Sequence, residues 1–196
     1  INVDQISPSL WGSFAIRNGF ERSTVLLLKK YPLSTIDSNL LIQLTVESCL
    51  QSRLSILPVL SERLAKENIQ IPYSVLIFTA KQFLKDSDRD DFEYFQSSQI
   101  ILEMENLLPP SKEIRLRFLS ETLQFSLYDI RICLNILRKF ESLYISDLNI
   151  NWNVIDNEKR FNDLIYGLAS INKLLDRNGV VYQPLLESAI MKDYSS

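Results

Sequence analysis

By residue type and spacing, the group most suited to chemistry is the stretch KDSDRDDFEYF, which begins at Lys85. Asp86, Asp88 and Asp90 imitate the alternate carboxylates that open an EF-hand calcium loop. Such a loop then needs a glycine at its sixth position for a sharp turn and a bidentate glutamate at its twelfth. This chain places Asp91 and Ser97 there. The stretch therefore reads as a solvated loop feeding a helix whose first turn favours acids, with a carboxylate contact to a basic partner as the alternative. No metal site is expected.

The remaining inventory is short. Histidine is absent, which removes Ser-His and Cys-His nucleophile pairs and imidazole-ligated metal sites. Gly12, Gly19, Gly167 and Gly179 each stand alone, so no glycine-rich phosphate loop exists. The sequence points to a protein that is not an enzyme, with no catalytic residue, no cofactor and no small-molecule substrate.

Basic and aromatic side chains are the other candidates. Basic residues fall in pairs: Lys29-Lys30, Arg115 with Arg117, Arg138-Lys139 and Lys159-Arg160. If helices stack in repeats, Lys30, Arg138 and Lys139 fall near the ends of second helices and could line a groove that grips phosphates; the plainer reading is solvated helix faces. Trp11, Phe78, Phe83, Phe118 and Phe161 lie in apolar stripes and read as core. Tyr94, Phe95, Tyr144 and Trp152 read as surface candidates, able to stack or anchor a partner if exposed. Trp152 sits among asparagines in NINWNV and has two readings, partner contact and local packing.

Most of the chain carries helical period. Ile36, Leu40, Leu41 and Leu44 recur at three-four spacing. So do Leu54, Leu57, Leu60 and Leu64, and so do Leu76, Ala80, Phe83 and Leu84. Ile114, Phe118 and Leu123, then Ile130, Cys133 and Leu137, then Phe161, Leu164 and Leu168 follow the same rule. Ser34–Asp37, Ser87–Asp90 and Ser126–Asp129 have the form of helix starts, Ser111 and Asp156 are candidate caps, and Pro58 marks a start or a kink. Asn178-Gly179 would stop a helix around Leu174 and Leu175. The expectation is nine or ten helices of 10–17 residues. The segments 178–183 and 148–155 have strand-like composition and could pair as a small hairpin.

The breaks recur. Asn68 and Asn106 are 38 residues apart, as are Pro72 and Pro110, while Pro32 precedes Pro72 by 40 and Pro184 follows Pro110 by 74. Two helices per period of this length describe stacked antiparallel helix pairs, an all-α solenoid, with an irregular helical bundle as the alternative.

LSERLAKENIQIPYSVLIFTA, from Leu60, and LEMENLLPPSKEIRLRFL, from Leu102, resemble the join between pentatricopeptide repeats, and RFNDLIYGLASINKLL, from Arg160, is similar to a first helix of that type. The period here is longer than is usual for that family or for tetratricopeptide repeats; helix pairs of the HEAT kind match its length better. No base-reading position of the family can be placed on this chain. The resemblance implies a helical-repeat protein and, as one reading, an RNA-binding factor in organelle RNA metabolism or translation.

Composition sets outer limits. The chain has 196 residues, 46% hydrophobic and 23% charged, with a net charge of −3. It lacks the strongly basic balance of most nucleic-acid and anionic-membrane binders. No apolar run approaches membrane-spanning length. The two cysteines, Cys49 and Cys133, lie in apolar periodic segments and read as buried free thiols, which suits a reducing intracellular compartment, whether nucleus, cytoplasm or mitochondrion. The chain begins at Ile1, and its first segment carries Leu10, Trp11 and Phe14; one helical-repeat domain over 1–196, continuing in a longer protein, is the expected organisation. The function expected is a scaffold or adaptor that binds a protein partner within a larger assembly, with RNA as the alternative ligand.

Overall fold

The computed structural model describes residues 8–30, 37–85, 91–140 and 143–191. Among them the architecture is all-α. The helices are α1 (Pro8–Arg17), α2 (Glu21–Lys30), α3 (Ser38–Leu50), α4 (Leu57–Lys66), α5 (Tyr73–Lys85), α6 (Asp91–Asn106), α7 (Lys112–Ser126), α8 (Ile130–Lys139), α9 (Glu158–Ser170) and α10 (Gln183–Met191). The backbone groups into two compact units. The first is Ile1–Asp86 with Gln99–Pro109, the second Ser87–Ser98 with Pro110–Ser196.

Helix starts follow local side-chain chemistry. Ser111 caps α7 as expected, accepting from the Ile114 N–H, and Pro58 sits in the first turn of α4 as a start. Three caps fall elsewhere than expected. Asp37 itself caps α3, accepting from the Leu40 N–H at 2.8 Å. Asp129 caps α8, while Ser126 turns back onto the Leu123 carbonyl at 3.0 Å. Asn157, one residue beyond Asp156, caps α9. In each case the residue adjoining the helix wins, because only there does its oxygen reach an orphan N–H of the first turn. Ser34, Pro32, Ser87 and Asp90 lie outside the described residues.

Helix ends follow a second rule. Gly19, Ser52, Asn68 and Asn172 hold the left-handed conformation, φ between 55° and 73°, just past α1, α3, α4 and α9. In each case the next N–H reaches back to close the last turn, as Phe20 does to the Ala15 carbonyl at 2.9 Å and Arg53 to that of Ser48 at 2.8 Å. Ile69 and Lys173 do the same, at 2.9 and 2.8 Å. Asn106 does not follow Asn68. It is the last residue of α6, whose end closes through Leu107-to-Met104 and Leu108-to-Glu105 bonds, each spanning three residues. Asn68 and Asn106 share a spacing, not a conformation.

In the first unit, α1 packs on α2 and α3, α2 on α4, and α3 on α4 and α5. Its core is built from residues such as Ile16, Leu28, Leu41, Leu44, Leu60 and Leu76. α1 and α3 approach closely because Gly12 has no side chain: a Cβ there would stand 2.7 Å from Leu44 Cδ2. A charged cluster closes the joint. Arg53, just past α3, donates from Nε to the Ile16 carbonyl at 2.9 Å and pairs with Glu21 at 3.6 Å, at the start of α2. Glu21 in turn accepts from the Ser55 hydroxyl, and Arg17 pairs with Glu47.

In the second unit, α8 packs on both α7 and α9, and α10 packs on a 3₁₀ turn at Trp152–Val154. Gly167 on α9 lets Leu134 of α8 approach, since a Cβ there would collide with Leu134 Cδ1. The helix expected around Leu174 and Leu175 is absent. α9 stops at Ser170, and Leu175 instead forms an isolated antiparallel bridge with Val181 across the Asn178-Gly179 turn. The hairpin that 178–183 and 148–155 could have made is not formed. The 148–155 segment runs into the Trp152–Val154 turn, and the partner of 178–183 is local.

Arg53 bonds the end of one helix from beyond the end of another. Arg53→Met should lower unfolding free energy by about 2 kcal/mol, the scale of charge-assisted bonds left unmade at half-buried carbonyls. Chemical denaturation of the variant beside wild type measures it.

Candidate interaction surface

The connector from Leu143 to Ile155 positions the most elaborate exposed cluster. It alternates burial, with Leu148, Ile150 and Trp152 inward and Asn149 and Asn151 outward, in the manner of an extended chain on an apolar face. Side chains of α7 hold its backbone. Ser120 Oγ accepts from the Asn149 N–H at 3.0 Å, and Gln124 both accepts from the Asn151 N–H at 2.6 Å and donates to the Asn151 carbonyl at 3.2 Å. From the other side, the buried Lys173 donates its ammonium protons to the carbonyls of Phe140 and Leu143, both at 2.6 Å.

On this support Tyr144 is 40% exposed. The Arg177 guanidinium lies 5.3 Å from its ring centroid. Arg177 Nη2 also donates to both oxygens of Asp147, at 2.8 and 3.0 Å, and Asp147 accepts the Tyr144 N–H at 3.1 Å. Burial alone would raise the Asp147 carboxyl. The Arg177 bond, the Tyr144 N–H and the charges of Arg177 and Lys112 outweigh it and hold the group below the usual carboxylate range. The result is an exposed ring beside a cation, with the anion that neutralises that cation holding the backbone N–H of the same tyrosine.

The other expected site residues lie on other elements. Lys30 closes α2 in the first unit, and Arg138 with Lys139 closes α8 in the second; all three are exposed, each in the last turn of its helix, where a cation suits the carbonyl end. Of its two readings, Trp152 takes local packing. It is 2% exposed, held inward by the alternation of the connector, and is a core residue of the second unit. Tyr94, Phe95 and the carboxylates of Asp86, Asp88 and Asp90 lie outside the described side chains. Among the described residues no group of carboxylates and thiols is arranged to hold a metal ion. Cys49 and Cys133 are buried free thiols; burial pushes each up to about 12, and Glu103 adds to the effect at Cys49.

Sequence reasoning placed Phe78 among the core stripes and did not single out Phe20. Trp11, Phe83, Phe118 and Phe161 are buried as expected, but Phe78 is 63% exposed. Leu76, Ile77, Ala80, Phe83 and Leu84 form the inner face of α5, and at 100° per residue Phe78 points away from their centre. That signal is present in the spacing alone. Phe14 and Phe20 are 61% and 53% exposed, with ring centroids 6.1 Å apart. Their pairing follows from the Asn18-Gly19 helix stop, which brings the residue after the left-handed position beside the last full turn of α1.

Comparison with family models, curated proteins and solved structures gives no match. No helix among the described residues is long and apolar enough to cross a membrane.

The lowered Asp147 pKa has a sign. A carboxyl held below its unfolded value contributes stability above that unfolded value, and the contribution is lost as pH falls through the folded one. Arg177→Gln should therefore narrow its stability gap to wild type as the solution is acidified through the carboxylate range. Urea midpoints at a series of pH values read this directly.

Proposed function

We propose that this chain is a non-catalytic helical-repeat scaffold that binds a protein partner within an intracellular assembly. The observation that carries this reading is the Phe14–Phe20 pair: two large rings, each more than half exposed, held side by side by a fixed helix end. Rigid aromatics ordered before contact lose little freedom on binding and are the usual anchors of protein interfaces. Exposed apolar groups that are not scattered singly mark contact surfaces. The stacked-pair architecture is part of the proposal. Its support is the contact order of the first unit, in which α1 and α2 form one pair, α3 and α4 the next, and like helices meet, α1 with α3, α2 with α4 and α3 with α5. The absence of histidine and of a phosphate loop in the sequence supports a non-catalytic role.

The test begins with a photo-crosslinking amino acid at Phe14 in cells, to identify the protein that meets this surface. Affinity of the purified pair is then measured for wild type and for Phe14→Ser/Phe20→Ser. The expected result is a loss of about tenfold or more in affinity, with the melting temperature little changed. Unchanged affinity overturns the reading. Tight, steeply salt-dependent binding to single-stranded RNA would transfer it to the RNA-binding alternative.

A further inference from the structure

The tripeptide Arg-Asn-Gly occurs twice, at Arg17–Gly19 and at Arg177–Gly179. Asn-Gly is the pair most prone to spontaneous deamidation, because glycine carries no side chain to hinder attack by its backbone nitrogen. Both asparagines are exposed, but the two copies differ in what holds them. We propose that Asn178 is a deamidation site of the folded protein and that Asn18 is shielded from the same reaction. This stands apart from the scaffold reading.

At Asn178 the surroundings are open. Asn178 is exposed, Gly179 has φ +75°, and a Cβ built there meets nothing within 4 Å. What holds the turn is Asp176, whose own N–H also donates to the Val180 carbonyl at 2.8 Å. Asp176 Oδ1 accepts the N–H groups of Asn178 and Val180 at 2.8 and 3.1 Å, and the Gly179 N–H donates to the Asp176 carbonyl at 3.1 Å. Freeing the Gly179 nitrogen requires opening one surface turn, among the least costly local motions of a fold.

At Asn18 the amide is engaged. Its Nδ2 donates to the Phe14 carbonyl at 2.8 Å. A Cβ built on Gly19 meets the Arg53 guanidinium at 3.5 Å, and the Gly19 and Phe20 N–H groups close the end of α1 at 3.3 and 2.9 Å. Attack here needs the helix end to open and the Arg53 bonds to break with it.

The chemistry balances without a cofactor. The Gly179 nitrogen gives up its proton to base and attacks Asn178 Cγ. The N–Cγ bond forms, the Cγ–Nδ2 bond breaks, and ammonia leaves after taking a proton from water. Water then opens the succinimide at either carbonyl, giving an aspartyl residue or an isoaspartyl one whose main chain runs through the former side chain. Either product sets a new carboxylate near that of Asp176. The isoaspartyl form also lengthens the backbone inside the turn that precedes Val181, next to the Arg177 that grips Asp147.

The test uses the intact folded chain, aged in mildly alkaline buffer beside a sample in denaturant, with peptide mapping by mass spectrometry and fragmentation that separates aspartyl from isoaspartyl. In denaturant the two sites should react at rates within about threefold, since they share a tripeptide. In the folded chain Asn178 should outpace Asn18 by about tenfold or more, the difference between opening a surface turn and opening a helix end that Arg53 ties down. Gly179→Ala should slow loss at Asn178 and leave Asn18 as it was. Equal rates in the folded chain, or a faster Asn18, overturn the proposal.

Discussion

A helix that ends inside a fold leaves carbonyl groups without partners, and burying them unpaired is costly. Much of this structure is arranged around that constraint. α1, α3, α4 and α9 each turn into a left-handed residue that folds the next N–H back onto the last turn. In two of the four, the residue that donates this N–H also carries a cation that serves a different helix. Arg53 follows α3 and bonds carbonyls at the end of α1; Lys173 follows α9 and bonds carbonyls just past α8. Each unit thus uses the end of one helix to finish another, and the cation fixes where the two ends lie.

The same economy organises what each unit exposes. The left-handed Gly19 that ends α1 is also what sets Phe20 beside Phe14. In the second unit, Lys173 fixes the start of the connector and Ser120 and Gln124 fix its middle. Tyr144, Asp147 and Arg177 then satisfy one another at the surface. Neither aromatic cluster depends on a long flexible loop. Both are by-products of closing backbone hydrogen bonds, so the rings are ordered before anything touches them.

Helical class was legible because the three-four spacing of leucine and isoleucine persists through most of the chain. The joints were legible by position: Pro72 leads α5, its carbonyl accepting from the Val75 N–H, and Pro110 with Ser111 leads α7. Their conformations were not legible, because the same asparagine can sit in a left-handed turn, as Asn68 does, or in a last helical turn, as Asn106 does. Caps were displaced by one to three residues where several polar groups compete, as at Ser126 and Asp129. Burial was left open or misread where composition stood in for geometry. Trp152, flanked by asparagines, kept two readings in the sequence, and alternation along the connector turns it inward. Phe78 looked buried because its helix is apolar, yet it lies opposite the inner face of α5. The roles of Arg53 and Lys173 left no trace in the sequence, since a cation just past a helix reads as solvated until the neighbouring helix end is known.

The central claim is that side-chain bonds to backbone, not regular secondary structure, hold the connector and its exposed tyrosine in place. Amide hydrogen exchange of Lys173→Met beside wild type tests it most directly. The amides of Leu143, Asp147 and Leu148, which close the turns of the connector, should lose protection, while those of Leu119 and Leu123 in α7 keep theirs. Unchanged protection at the connector, or an equal loss throughout α7, would contradict it.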